Sequence, residues 1–414
     1  MSEIVSQNDK KVLGELGKKY REAAELPAHK ETVRLWKKLN GLKPERPMVT
    51  IDQLPWNELN INGELDIRCE DPYLREVEFS LRRELYQWNH FPVDMYLEPF
   101  VKCNLVIEGI SFGLKVDENV AVTDATSAVL GHSYIDQIKD ESDLEKIQMP
   151  DPRLNKAETE SRYELLSGIF KDIIPVKKIG YSCDLHVWDR IVEFKSPESI
   201  LMDIIDRPEF LHKLTKRFFD WFNTLHTLLE ERGLLGEGFK LIHCTGAFTD
   251  ELPKPGFNPE QPRLTDNWIM AAAQIFSTVS PEMHDEFEIA YNKPAIERFG
   301  LGYYGCCEPL DRKIGIIKKI KNVRKISISP WAEKQRSAEA IGRDYVFSNK
   351  PTPAFLAPPD FHLDQVQADI KETIDICKRS QTPLEIVLKD VSTVNYKPER
   401  LTQWADMVMK LVKS

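Results

Sequence analysis

The chain has 414 residues, 42% hydrophobic and 29% charged, which is the composition of a globular protein and excludes disordered, collagen-like and membrane-spanning classes. Its 56 Lys and Arg against 66 Asp and Glu leave a net charge of −10, a field that repels phosphate backbones, so nucleic acid is not an expected partner. No stretch approaches the roughly 18 consecutive apolar residues of a membrane span. Residues 1–10 also lack the basic start and apolar run of a secretion signal, so the expectation is a cytoplasmic protein with no membrane partner. Seven cysteines at irregular spacing, with no CxxC pair, read as reduced thiols rather than as a disulfide framework or a zinc ribbon.

In chain order, Val12, Leu13, Leu16 and Tyr20 fall at helical spacing, and Pro27 separates a second helix carrying Val33, Leu35, Trp36 and Leu39. Residues 1–45 therefore form an N-terminal helical extension, which could serve homodimerisation or partner docking, and residues 46–414 form the catalytic domain. A strand begins at Arg46, and residues 71–88 return to a helix opened by Asp71 and Pro72, an N-cap followed by an N1 proline. Short strands occupy 98–136, and a helix follows over 157–174. A strand at 178–184, a helix at 208–232, a strand at 239–244 and a helix at 281–299 come next. The tail alternates strands at 302–307, 323–329, 345–348 and 384–388 with helices at 314–320, 337–341, 363–380 and 398–412.

About eight strand–helix pairs favour a (β/α)8 TIM barrel over a doubly wound sheet. A GxxxxGK[ST] loop is absent, and the one GxGxxG match, at 300–305, runs into a strand instead of opening a helix, which argues against a dinucleotide-binding fold.

In such a barrel the reacting groups sit at the carboxyl ends of strands. Three ends carry suitable chemistry: His243 and Cys244, then Tyr304 through Glu308, then Lys389 and Asp390. Thiolate and imidazole facing one cavity would make a tetrahedral zinc site with an open position, from His243, Cys306 and Cys307. Strand alternation puts Cys306 and Cys307 on opposite faces unless the chain bends there. Glu308 could be a ligand, a general acid or a helix cap. Asp184 and His186 form a second polar cluster after a strand, and His186, Tyr304 and Glu98, the last near the barrel mouth, are assigned to substrate binding. Catalytic roles are assigned to Glu308, Asp390 and Asp184. The aromatic run Phe218, Trp221 and Phe222 is core packing on one helical face.

The order of two segments, Ser196 to Phe210 and Ile275 to Phe287, resembles the uroporphyrinogen decarboxylase superfamily over the span from Arg46 to the C-terminus. The decarboxylase branch carries a Met-Arg-Gln-Ala-Gly-Arg motif after its first strand, whereas this chain continues from Val49 as Thr50-Ile51-Asp52-Gln53, without the arginines that a polycarboxylate substrate needs. The other branch, corrinoid-dependent methyltransferases, binds zinc through a His-x-Cys strand end and a later Cys. Tyr304-Gly305-Cys306 falls at that strand end with Tyr in place of His, and Asp390 stands roughly where the later Cys would be. The run from Tyr304 to Leu310 is similar to the form found in members acting on methoxylated compounds. The resemblance implies methyl transfer between a small methylated donor, such as an aryl methyl ether, and the cobalamin cobalt of a separate corrinoid protein, with zinc as metal cofactor. Two other readings stay open: a metal-free lyase that decarboxylates a small carboxylate or tetrapyrrole, and a catalytically silent corrinoid or tetrapyrrole binder.

Overall fold

The computed structural model describes residues 6–60, 62–122, 130–237 and 240–414. Two helices open the chain: α1 (Gln7–Ala24), capped by the Ser6 hydroxyl, and α2 (Ala28–Asn40). They lead to β1 (Met48–Ile51) and α3 (Pro72–His90), where the Asp71 carboxylate accepts the Leu74 N–H at 2.9 Å as the N-cap reading requires. β2 (Val101–Asn104), α4 (Lys156–Ile169) and β3 (Val176–Ile179) follow, then α5 (Pro208–Glu231), and β2 pairs with β3 in parallel. The later strands are β4 (Leu241–Ile242), β5 (Thr245–Gly246), β6 (Trp268–Ala271), β7 (Leu301–Tyr304), β8 (Val323–Ile328), β9 (Val346–Asn349) and β10 (Leu384–Leu388). Helices α6 (Leu363–Ser380) and α7 (Glu399–Lys413) flank the last strand.

Six of these strands form one parallel sheet in the order β1-β10-β9-β8-β7-β6, so the last strand closes back onto the first. The edges are extended by single contacts: the Asp94 N–H donates to the Val49 carbonyl at 2.9 Å beyond β1, and Leu185 bridges Ala271 in parallel beyond β6. A closed ring of eight strands is not formed among the described residues. Two departures from the sequence reading account for part of the difference. The segment read as one strand at 239–244 is an antiparallel hairpin, β4 with β5, and Phe239 lies outside the described residues. The edge strand β6 comes from an unbroken apolar run to which the sequence analysis assigns no element.

Both faces of the sheet are buried, as parallel strands between helices must be. Outward side chains such as Ile269, Ile326, Phe347 and Ile386 join the large core with α5, α6 and α7. Inward positions are different: Trp268, Met270, Leu301 and Tyr303 pack together there with Cys306. A fully buried Lys325–Glu385 ion pair at 2.7 Å lies deeper in that interior. The α2 helix packs against the inward side, with Trp36 and Leu39 against Met48 and Val346, and the Trp36 indole N–H donates to the Asp94 carbonyl at 3.0 Å. A second core joins Leu13, Leu16 and Tyr20 of α1 to α3, α4 and β2. Among the described residues no helix is long and apolar enough to cross a membrane.

Candidate functional site

The polar groups collect at the carboxyl ends of β7 and β10 and at the turn between β4 and β5. Several backbones there take the left-handed conformation that side chains disfavour: His243 (φ 44°), Cys244 (φ 67°) and Asp390 (φ 55°), with Gly305 at φ 94°. Positive φ at both central residues is what a two-residue type I′ hairpin requires, and the usual occupants are Asn and Gly. Here a histidine and a cysteine hold that turn, so the tight corner carries functional groups at a conformational cost.

Gly305 ends β7 with a sharp bend. A Cβ there would stand 2.4 Å from the Leu310 side chain, so only glycine fits. The bend cancels the strand alternation and brings both thiols to one place, with the Cys306 and Cys307 sulfurs 3.4 Å apart. The Lys389 ammonium stands 3.1 Å from the Cys306 sulfur and 3.4 Å from His243 Nε2, and it pairs with Asp390 Oδ2 at 3.1 Å. The Cys307 sulfur is 3.2 Å from Asp390 Oδ2, so its single S–H has two acceptors in reach, that carboxylate and Cys306. Cys306 and Lys389 are buried, while Asp390 is exposed at the mouth.

The electrostatics follow from this contact set. The hydrogen bond from Cys307, aided by the Lys389 charge, outweighs burial and draws Cys306 down to about 7. The same hydrogen bond, with burial, pushes Cys307 up, so the pair shares one thiolate, centred on Cys306. Burial opposes the Lys389 charge, but Cys306, Cys307 and Asp390 outweigh it and hold the ammonium protonated. Burial, with the Lys350 and Lys389 charges, drives His243 well below its ordinary value, so its ring is neutral and accepts from Lys389.

Beneath this layer lies Lys350, fully enclosed and donating to the Tyr303 hydroxyl at 2.7 Å and the Ser348 hydroxyl at 2.9 Å. Burial lowers it to about 8. The Tyr303 ring packs against His243 with centroids 5.1 Å apart.

The other predicted residues separate. His186 and Asp184 pair at 3.1 Å, and the His186 ring stands 6.4 Å from the His243 ring, so this cluster borders the same mouth. Burial opposes both charges, yet the mutual hydrogen bond prevails, raising His186 and lowering Asp184. Glu308 is fully buried: its carboxyl group accepts the Cys306 N–H at 2.9 Å and the Ala273 N–H at 3.3 Å, which makes it the brace of the Cys306 loop rather than a group facing the mouth. Tyr304 lies on the outward face of β7, fully buried, bonded to His284 Nε2 at 2.7 Å and Glu288 at 3.1 Å; alternation gives the inward position to Tyr303 instead.

Glu98, paired with Lys102 at 2.9 Å, lines a separate cavity of about 460 Å³ between β1, β3 and the β4–β5 hairpin. Cys244, Asp52 and Thr50 line it, but Cys306, Cys307 and Lys389 do not. The two-residue turn divides the spaces, with His243 on the thiol side and Cys244 on the cavity side.

A divalent metal does not fit the thiol side as it stands. Tetrahedral zinc with sulfur bonds of about 2.3 Å would spread two thiolates to about 3.8 Å and would need the space that Lys389 fills. A unit charge pair 4 Å apart in a protein interacts by about 4 kcal/mol, so an ion of charge two would meet about 8 kcal/mol of repulsion from that ammonium. Among the described residues, no three or more His, Cys, Asp or Glu side chains are arranged to hold a metal ion.

No protein-family model and no curated protein matches the sequence. The backbone is similar to the solved structure of a methyltransferase from Methanosarcina mazei, with a TM-score of 0.53 and 11% identity, covering 91% of this chain and 98% of that one. At that identity the likeness is one of fold: an α/β framework around a parallel sheet.

Proposed function

We propose that this chain is a methyltransferase of the O-demethylase type, moving a methyl group between a small methylated substrate, such as an aryl methyl ether, and the cobalt of a corrinoid carried by a separate protein. The framework is read as a (β/α)8 barrel whose ring is completed by the segments at Asp94 and Leu185. The observation that carries the proposal is the convergence of Cys306, Cys307, Lys389 and Asp390, at the carboxyl ends of the parallel strands β7 and β10, with His243 of the β4–β5 turn. The fold shared with a methyltransferase supports it.

The corrinoid supplies the nucleophilic metal that accepts the methyl group. The task left to the protein is the leaving group, since an ether oxygen departs poorly as an anion. Lys389 is a buried donor held protonated by its neighbours, and by giving up its long 3.4 Å contact to His243 it can hydrogen-bond the departing oxygen as negative charge develops. The Cys306 thiolate balances the ammonium before substrate enters. Asp390 and the His186–Asp184 pair stand at the mouth, where a polar substituent of the donor would be oriented. The reading is tested by following the cobalt absorbance of a reduced corrinoid protein mixed with this chain and a panel of methyl ethers. Chain-dependent methylation with at least one donor supports it, and none with any donor overturns it.

A further inference from the structure

We infer that Lys389 is the resident cation of this site: its ammonium fills the position between Cys306, His243 and Asp390 that a divalent metal would otherwise take, and the cradle becomes a metal site only when that ammonium is removed. The inference deepens the methyltransferase reading by naming the cation that faces the leaving group, but its ground is geometric and its test reads metal binding alone.

An ammonium has three N–H donors and no acceptor. Lys389 has three acceptors of different chemistry around it: a sulfur at 3.1 Å, an imidazole nitrogen at 3.4 Å and a carboxylate oxygen at 3.1 Å. Thiolate, imidazole and carboxylate are also the ligand types of zinc; with Cys307, 3.4 Å from Cys306, they number four, spread around the ammonium rather than arranged to hold an ion while it is there. The Cys306 sulfur and the Asp390 carboxylate both face this one ammonium, the cation that offsets their negative charge in part.

Two features oppose exchange of the lysine for a metal. Lys389 follows β10 directly, and its side chain is 3% exposed, so it cannot swing into solvent without opening the layer around it. Lys350, buried beneath and bonded at 2.7 Å to the hydroxyl of Tyr303, whose ring packs on His243, adds a second positive charge against an incoming ion. Deletion of the Lys389 side chain removes the ammonium that occupies the position and leaves the donors, their charge and the space, with only the Lys350 charge beneath still opposing an ion.

The experiment compares wild type with Lys389→Ala, both stripped by chelator and titrated with Co²⁺, following thiolate-to-cobalt charge-transfer absorbance and metal retained after desalting. Wild type is expected to keep less than about a tenth of an equivalent and to show no thiolate band, while Lys389→Ala keeps about one equivalent with the band. Adding Cys306→Ala to that variant should lower the band by about tenfold or more. One retained equivalent with a thiolate band in wild type overturns the inference, as does a folded Lys389→Ala that takes up no cobalt. If Lys389→Ala loses its cooperative melt, Lys389→Ser carries the same comparison, and the wild-type titration decides by itself whether the cradle already holds a metal.

Discussion

The ion pair between Lys325 and Glu385 gives the sharpest quantitative expectation for the framework under the site. Both side chains are fully buried and 2.7 Å apart, and the pair is tied to the hairpin that carries His243 and Cys244. Lys325 also donates to the Gly246 carbonyl at 3.0 Å, and Glu385 accepts the Thr245 hydroxyl at 2.8 Å. Lys325→Met fills the same volume but leaves a buried carboxylate without its cation, a loss of about 3–5 kcal/mol. Glu385→Leu should cost a similar amount for the converse reason. In the double variant no charge is stranded. What remains is the unpaired Gly246 carbonyl and Thr245 hydroxyl, worth about 1–3 kcal/mol. The coupling between the two positions should therefore exceed about 2 kcal/mol, read from urea denaturation of all four proteins at pH 7 with unchanged m-values. Single variants within about 1 kcal/mol of wild type, or costs that simply add, would refute the claim that this pair pins the hairpin to the sheet.

Glu288 supports an expectation in pH. It is fully buried, and burial raises it to about 8, so between its ordinary 4.5 and that value the native state binds the extra proton and wild-type stability falls as pH rises. Glu288→Gln should remove that slope and gain on wild type from pH 5 to 8, by at most about 5 kcal/mol; parallel stability curves would contradict it. Gly246→Ala tests the seat of Trp36: a Cβ there would lie 2.4 Å from the indole ring, so the variant should lose about 1–3 kcal/mol, and an unchanged melting temperature would show that the α2 contact is loose.

Much of the framework was legible because its causes are local. Asp71 and Pro72 mark the start of α3, and the apolar runs at Val323, Val346 and Leu384 became adjacent strands of the sheet. The site was legible only in part. Cys306, Cys307, His243 and Asp390 come together, but a backbone brace, a bend and an alternation each redirected one residue: Glu308 holds the Cys306 loop, Gly305 undoes the opposition of the two cysteines, and Tyr304 turns away while Tyr303 turns in. The polar interior was missed, although its signal was present. Lys325 and Ser327, Ser348 and Lys350, and Glu385 and Lys389 stand at even spacings on otherwise apolar strands, the pattern of one inward face lined with polar groups. The hairpin at His243 was not legible, since a type I′ turn built from His and Cys lacks the Asn-Gly cue.

The central claim is that the buried lysine–thiolate pair polarises a departing methyl-bearing oxygen. The most direct measurement is the rate of cobalt methylation in a reduced corrinoid protein, with an accepted methyl ether, for wild type, Lys389→Met and Cys306→Ala of equal thermal stability. The account predicts that Lys389→Met loses about a hundredfold or more in rate, with Cys306→Ala reduced as well. Rates equal to wild type in both folded variants would contradict it.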